Sequence, residues 1–241
     1  GIRYSSTSRG LGDVYKRQFQ LLPSIGKSKA QQMVQSRGMI GWENFDDIDA
    51  VSIVTPTVNH YEIARYFIER NKHVLIEKPM TQTVTEAKKL INLAKKHKKT
   101  IQIGHLERFN PVIRKVSSLI KNPLFIEVHR LAQFNPRSTD VNVVYDLMIH
   151  DIDITTSLVP SKIKKISSFG KSIITNKIDI ANARLEFFNG TIANLTASRI
   201  SQKSERKIRI FEKDKYLSLD FLQPKLKIVE KVKKKSSKLF K

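Results

Sequence analysis

Residues 49–80, DAVSIVTPTVNHYEIARYFIERNKHVLIEKPM, decide the fold. Asp49 to Thr55 is an apolar, β-branched run stopped by Pro56, the pattern of a strand covered on both faces. Asn59 to Arg70 then places Ile63, Ala64, Phe67 and Ile68 on one side of a helix. His73 to Ile76 is a second short apolar run, closed by Glu77-Lys78-Pro79. A strand, a helix and another strand in so short a span make a βαβ unit, and such a unit builds a parallel sheet.

The same alternation continues outward. Downstream, Thr83 and Glu86 form a T-x-x-E capping box, which opens a helix with an expected buried stripe of Val84, Ala87, Ile91 and Ala94. Thr100 to Ile103 is a further strand. Upstream, Lys27 to Arg37 reads as a short helix ended by Gly38. After Gly104 the texture changes: a helix over Pro111 to Ile120, a strand over Phe125 to Leu131 and a helix over Asp146 to Leu158. Strands then follow directly on strands, at Lys164 to Lys171, Ile180 to Phe188, Gly190 to Ser198, Arg206 to Phe211 and Tyr216 to Asp220. Asn189-Gly190 is a two-residue hairpin signal between two of them. The expected fold class is α/β: an incomplete Rossmann-type parallel sheet followed by an α+β domain with a mainly antiparallel sheet.

The chain has 241 residues, a formal net charge of +22, 40% hydrophobic and 27% charged residues. That composition excludes a disordered chain, and no apolar run approaches the ~20 residues that span a bilayer. Cys is absent, which removes disulfides, thiolate catalysis and Cys-ligated zinc together; a cytoplasmic location fits. Lys outnumbers Arg about two to one, whereas phosphate and base recognition favours the fixed fork of Arg. Lys88, Lys89, Lys95, Lys96, Lys98 and Lys99 read as a solvated surface, so neither nucleic acid nor membrane is expected as a partner. A basic nucleic-acid-binding module is the rival class.

Asp146 and His150 are four residues apart on an expected helix and leave one face. An imidazole beside a carboxylate is a general acid/base pair, although an isolated D-x-x-x-H is more often a helix-face hydrogen bond. The two residues supply no metal-ligand set, and no metal is expected. Glu77-Lys78-Pro79 follows a buried strand, at the sheet edge where open α/β sheets bind ligands. A Lys there stabilises a developing alkoxide; the alternative is a strand-end Lys in solvent. Thr55, Pro56, Asn59 and His60 end the neighbouring strand and begin a helix whose free N–H groups suit an anionic or amide-bearing ligand. His60 by itself reads more readily as a helix-start capping or packing residue.

Together, VSIVTPTVNHYEIA, HVLIEKPMTQTVTEA, IGHLERFNP and YDLMIHDID resemble the glucose–fructose oxidoreductase/inositol dehydrogenase family over roughly Lys27 to Asp220. Within it, GHLERFNP, EVHR, DLMIHDID, DIANARLEF, NLTASR and YLSLD resemble the UDP-N-acetylglucosamine 3-dehydrogenases of lipid A precursor synthesis. The resemblance implies a nicotinamide cofactor, NAD or NADP, and oxidation of a sugar hydroxyl. It implies His150 as the base, Asp146 as its partner and Lys78 between substrate and nicotinamide. It also implies a cofactor contact from Thr55, Pro56, Asn59, His60, Glu77, Lys78 and Pro79. Arg108 and Asn110 begin the second domain, and Arg130, Arg137 and Arg199 are candidate partners for the pyrophosphate of a nucleotide sugar, with a surface or structural role the alternative for each. A homo-oligomer formed through the antiparallel sheet is expected on the same basis.

The sequence also departs from the family. No strand followed by a Gly-rich phosphate loop is present; Gly10-Leu11-Gly12 begins like one, but Tyr15 stands where the third Gly belongs. Residues 1–18 are polar and aperiodic, and DVYKRQ resembles translated adapter sequence. The expected division is therefore a non-native leader at 1–18, a partial dinucleotide-binding domain at 19–105, a substrate and oligomerisation domain at 106–223, and the Lys-rich tail of a truncated C-terminus at 224–241. A fragment of this kind is expected to bind NAD(H) weakly or not at all, and micromolar binding would contradict that expectation.

Overall fold

The computed structural model describes residues 48–136 and 141–231, which divide into two compact units between Leu106 and Glu107. In the first unit, strand β1 (Ala50–Ile53), helix α1 (His60–Glu69), β2 (His73–Ile76), α2 (Val84–Lys96) and β3 (Ile101–Ile103) follow one another. The sheet has the order β1-β2-β3 with both pairings parallel. Ile53 lies opposite Ile76, and Ile76 opposite Ile103, so all three strands end at one edge. Ile53, Ala64, Ile68, Val74, Ile76, Leu90 and Ala94 form the core. The helix expected at Lys27 to Arg37 lies outside the described residues.

Helix α2 starts as its sequence requires: Glu86 N–H donates to Thr83 Oγ1 (3.2 Å) and Thr83 N–H to Glu86 Oε2 (3.0 Å). Its buried stripe differs from the expected one. Leu90 and Ala94 are buried, whereas Val84 is 71% and Ile91 43% exposed. The apolar residues of VTEAKKLINLA support two adjacent stripes at helical spacing, and packing against Ile68 and Val74 selects the one through Leu90.

The second unit contains α3 (Pro111–Ser117), β4 (Phe125–Leu131), a turn of π-helix (Val144–Met148) that runs into α4 (Ile149–Leu158), and then β5 (Ile163–Lys171), β6 (Ile180–Phe187), β7 (Ile192–Ser198), β8 (Glu205–Glu212), β9 (Lys215–Asp220) and β10 (Lys225–Glu230). The sheet order is β10-β9-β8-β4-β7-β6-β5. Only the β4–β7 pairing is parallel; every other pairing is antiparallel. Residues at period two face inward: Ile126 and Val128 on β4, Ala193, Leu195 and Ala197 on β7, Ile208 and Ile210 on β8. They share a core with Val112, Val116, Met148, Ile154 and Leu158 of the helical segments.

Two boundaries differ from the sequence reading. The Asn189-Gly190 hairpin forms, with Gly190 at φ 88°, but β7 begins at Ile192 because Thr191 O still accepts from Phe187 N–H across the turn (2.9 Å). The strand β10 falls within the segment grouped as a Lys-rich tail, and it pairs with β9 from Lys225↔Asp220 to Glu230↔Lys215. Its K-L-K-I alternation is short and broken at Val229, and the strand is largely exposed, with Lys protecting the sheet edge.

Candidate active site

The first unit gathers its sequence motifs at the carboxyl edge of the parallel sheet. Glu77 N–H donates to Ile53 O (3.0 Å) and Gly104 N–H to Ile76 O (2.8 Å), so the ladder continues past each strand. The Glu77 carboxylate lies against Gly104: a β-carbon there would stand 2.8 Å from Glu77 Oε2. Oε2 also accepts from Lys78 N–H (3.3 Å), and the Lys78–Pro79 peptide is cis. Thr55 and Pro56 leave β1 at this edge, and Asn59 occupies the N-cap position of α1 without a side-chain cap bond. The Thr55 hydroxyl oxygen is buried and has no hydrogen-bond partner. His60 is 1% exposed. Its Nδ1 lies 2.9 Å from Pro79 O and its Nε2 2.8 Å from Thr55 O. It therefore reaches this edge through backbone carbonyls that leave its ring no solvent face.

In the second unit, Asp146 sits in the π-helical turn and His150 in the first turn of α4. Isolated π turns concentrate at functional sites, where they re-aim side chains. The expected helix at Asp146 to Leu158 thus exists in two parts. Its entry is fixed by Asn142: Oδ1 accepts from Val144 N–H (3.0 Å) and Tyr145 N–H (3.1 Å), and the backbone carbonyl accepts from Asp146 N–H (3.0 Å). Asp146 and His150 are both half-buried.

The other two acids of DLMIHDID clamp α4. Arg130 Nε lies 2.9 Å from both carboxylate oxygens of Asp151, and its NH1 is 3.4 Å from Glu107 Oε1. Burial pushes the Asp151 carboxyl up, against the pull of Arg130. Arg108 binds Asp153 through Nε (2.6 Å) and NH2, a two-pronged contact. Asn110 caps α3, accepting from Val112 N–H (3.0 Å), and its amide reaches Glu107 Oε2 (3.4 Å).

The structure places the candidate substrate arginines unequally. Arg130 and Arg199 are each 3% exposed. Arg199 Nε lies 2.9 Å from Asp179 Oδ1, NH2 3.0 Å from Thr175 Oγ1 and NH1 2.6 Å from Val141 O. Both guanidinium groups are thus committed to internal carboxylates, which corrects the assignment of these two to a substrate pyrophosphate. The signal was in the sequence: Arg130 continues the inward register of Ile126 and Val128, and Arg199 that of Leu195 and Ala197. A charge at an inward position needs a buried counter-charge. Arg108 keeps half of its surface but is tied to Asp153, and Arg137 lies outside the described residues.

Asp179, missed by the sequence reading, organises the loop before β6. Its Oδ2 accepts from the N–H groups of Ile173, Ile174 and Thr175 (2.8, 2.8 and 2.9 Å), and Oδ1 from the Thr175 hydroxyl (2.7 Å). Burial would raise this carboxyl, but these donors outweigh it and hold the group well below the usual carboxylate range. Ile178 O in the same loop accepts from Val143 N–H (2.9 Å), beside Asn142. Among the described residues no cluster of three His, Cys, Asp or Glu could hold a metal ion, and no helix is long and apolar enough to cross a membrane.

A parallel α/β unit followed by an open, mainly antiparallel sheet is the architecture of dinucleotide-linked oxidoreductases. Residues 8–105 match the oxidoreductase family with an NAD-binding Rossmann fold, and residues 114–217 match the GFO/IDH/MocA C-terminal domain. The chain belongs to this GFO/IDH/MocA family. It is 42% identical over 183 residues to UDP-N-acetylglucosamine 3-dehydrogenase of Acidithiobacillus ferrooxidans, covering 76% of this chain and 58% of that protein. The solved structure of that dehydrogenase matches with a TM-score of 0.80 at 34% identity, over 95% of this chain and 78% of the other. The NAD(+)-linked scyllo-inositol 2-dehydrogenase of Bacillus subtilis is 29% identical over 198 residues, or 73% of this chain and 58% of that protein. The chain thus spans 58% of the length of each of these two curated relatives.

The carboxyl edge of the first unit's sheet has features that fit an NAD. The buried Thr55 hydroxyl lacks a partner, and the side-chain-free Gly104 lies against the Glu77 carboxylate. Both features belong to the carboxyl edge of the parallel sheet, where such ligands bind.

Proposed function

We propose that this protein is a nicotinamide-dependent dehydrogenase that oxidises the C3 hydroxyl of UDP-N-acetylglucosamine to a 3-keto sugar. The 42% identity to the A. ferrooxidans enzyme carries this reading, and the chemistry of the two motifs supports it. The nicotinamide, when bound, is the hydride acceptor. Thr55, Pro56, Asn59, Glu77 and Pro79 hold its carboxamide and ring side, and His60 supports two of those backbones. His150 removes the hydroxyl proton, and Asp146 orients its imidazole and offsets the charge it gains. Lys78 serves the same reaction by stabilising the developing alkoxide.

With Arg130 and Arg199 committed to ion pairs, Arg108, Asn110 and Arg137 remain the candidates for the nucleotide sugar. NAD and NADP are both compatible with the chain. The outward face of the large sheet carries the Phe211 ring against both Phe125 and Tyr216, beside the Arg209–Glu127 pair. We assign homo-oligomerisation to that face, with a cytoplasmic location and no role for nucleic acid or membrane. A second reading, oxidation of a cyclitol, is favoured by the likeness to scyllo-inositol 2-dehydrogenase.

Supplying UDP-N-acetylglucosamine, scyllo-inositol and myo-inositol separately, at raised NAD, tests both readings through the absorbance of the reduced nicotinamide. Turnover with the nucleotide sugar alone is expected. Turnover confined to a cyclitol favours the second reading, and a salt-sensitive complex with nucleic acid without turnover favours the rival class.

A further inference from the structure

His60 is the most completely enclosed ionisable side chain of the first unit's motif edge, at 1% exposure. Both of its ring nitrogens face backbone carbonyl oxygens: Pro79 O at 2.9 Å from Nδ1 and Thr55 O at 2.8 Å from Nε2. A carbonyl oxygen only accepts. A ring nitrogen that carries a proton donates to the carbonyl it faces, and the ring itself fills the space between the two carbonyls. The segments that meet the ring carry Glu77 and Lys78 ahead of Pro79, and its own helix carries Tyr61 and Glu62. Among the described residues none of these bonds the ring, and no carboxylate pairs with it.

The two carbonyls belong to different strand ends. Thr55 follows β1 and Pro79 follows β2, one residue after Lys78. We infer that His60 is a positioning residue: an enclosed imidazole, held between the Thr55 and Pro79 carbonyls, that ties the turn leaving β1 to the turn leaving β2 and so sets the backbone from which Glu77 and Lys78 project. Parallel strands are joined side by side only along their ladder, and past Ile53 and Ile76 that ladder runs out. The Glu77 N–H bond to Ile53 O is its last rung between β1 and β2. His60 continues the cross-link beyond that rung with a side chain. Its importance for turnover rests on the dehydrogenase reading; its enclosure and its hold on the two turns do not.

Two measurements on the full chain decide the inference. In protein labelled with 15N-histidine, a ring N–H of His60 is expected to exchange slowly with solvent, as a group enclosed between two carbonyls does. Rapid exchange at both ring nitrogens overturns the enclosure. His60→Ala and His60→Gln are then compared by amide hydrogen exchange at Glu77, with the β1–β2 interior amides as reference. His60→Ala should speed exchange at Glu77 about tenfold, and His60→Gln, which retains an amide donor, by less. Unchanged exchange in both variants overturns the positioning role; if the Ala variant does not fold, the Gln variant decides alone. Lys78→Met tests the dehydrogenase reading separately: unchanged turnover in it, with the expected His60 spectrum, removes that reading and leaves the cross-link standing.

Discussion

Arg130 on β4 and Asp151 on α4 form a closed ion pair, with Nε 2.9 Å from both carboxylate oxygens and the two residues 3% and 2% exposed. The pair ties the helix that carries His150 to the centre of the large sheet. Breaking such a pair on one side leaves a buried charge uncompensated, at a cost of about 3–5 kcal/mol. Asp151→Ala should therefore lower the urea midpoint by that equivalent, whereas the double change Arg130→Met with Asp151→Leu should recover most of it. A loss under about 1 kcal/mol in the single variant would show that the pair is not a buried one in solution.

Asp179 gives a pH dependence with a defined sign. Its folded carboxyl is held well below the ordinary range by three N–H groups and the Thr175 hydroxyl. Between the folded and unfolded values, the unfolded chain binds more protons, so stability rises with pH there. The contribution is complete above the unfolded value of about 3.9 and is lost as the pH falls below it. Denaturant titrations down to strongly acidic pH should show a shallower acid limb for Asp179→Asn than for the natural chain.

His73 works at a higher pH. Burial first, then the charge of Lys99, lower its affinity for a proton, with Asp49 opposing in part. Its Nδ1 accepts from Thr100 N–H (3.1 Å), a bond that a protonated ring cannot make. The unfolded chain therefore binds the proton more readily, and stability again rises with pH. The contribution is complete above about 6.5 and declines as the pH falls through the lowered folded value. Replacing His73 by Gln should flatten the stability profile in that range, measured by thermal unfolding in matched buffers.

Gly104 and Glu77 form a steric test. The nearest atoms to a β-carbon at Gly104 are the Glu77 carboxyl group, the movable end of a side chain. Gly104→Ala should leave the melting temperature close to that of the natural chain while moving the Glu77 carboxylate. If that carboxylate shapes the cofactor contact, the apparent KM for NAD rises several-fold in the variant, and Glu77→Gln shows a similar rise.

For the reaction itself, His150→Ala should slow the chemical step about a hundredfold or more, as loss of a general base does. Lys78→Met should lower kcat further than it raises KM, since its role is confined to charge that develops during reaction. Near-normal turnover in His150→Ala, with NAD and sugar nucleotide saturating, would reject the assignment of the base.

Much of this protein is legible locally. The β-branched runs before Pro56 and before Glu77-Lys78-Pro79, the Thr83–Glu86 capping box and the Asn189-Gly190 turn each carry their own stereochemical instruction, and each forms. Leu90 shows the limit: helical spacing allowed a stripe through Ile91 as well, and contact with Ile68 and Val74 chose between them. At the π turn, Val144–Met148, Asn142 caps the entry locally, but Val143 N–H is also held by Ile178 O of the loop that Asp179 organises, a contact distant in the chain.

Sequence alone determined the parallel and antiparallel halves, the two strand-end and helix motifs and the family, since these depend on periodicity and on short-range stereochemistry. Tertiary structure decided what each charged or polar side chain does. Arg130 and Arg199 looked like ligands for a phosphate until the sheet register turned them inward to Asp151 and Asp179. His60 looked like a contact for the cofactor until its ring proved to be enclosed between two carbonyls. A side chain's partner is set by residues distant in the chain, and the low-dielectric interior makes that partner obligatory.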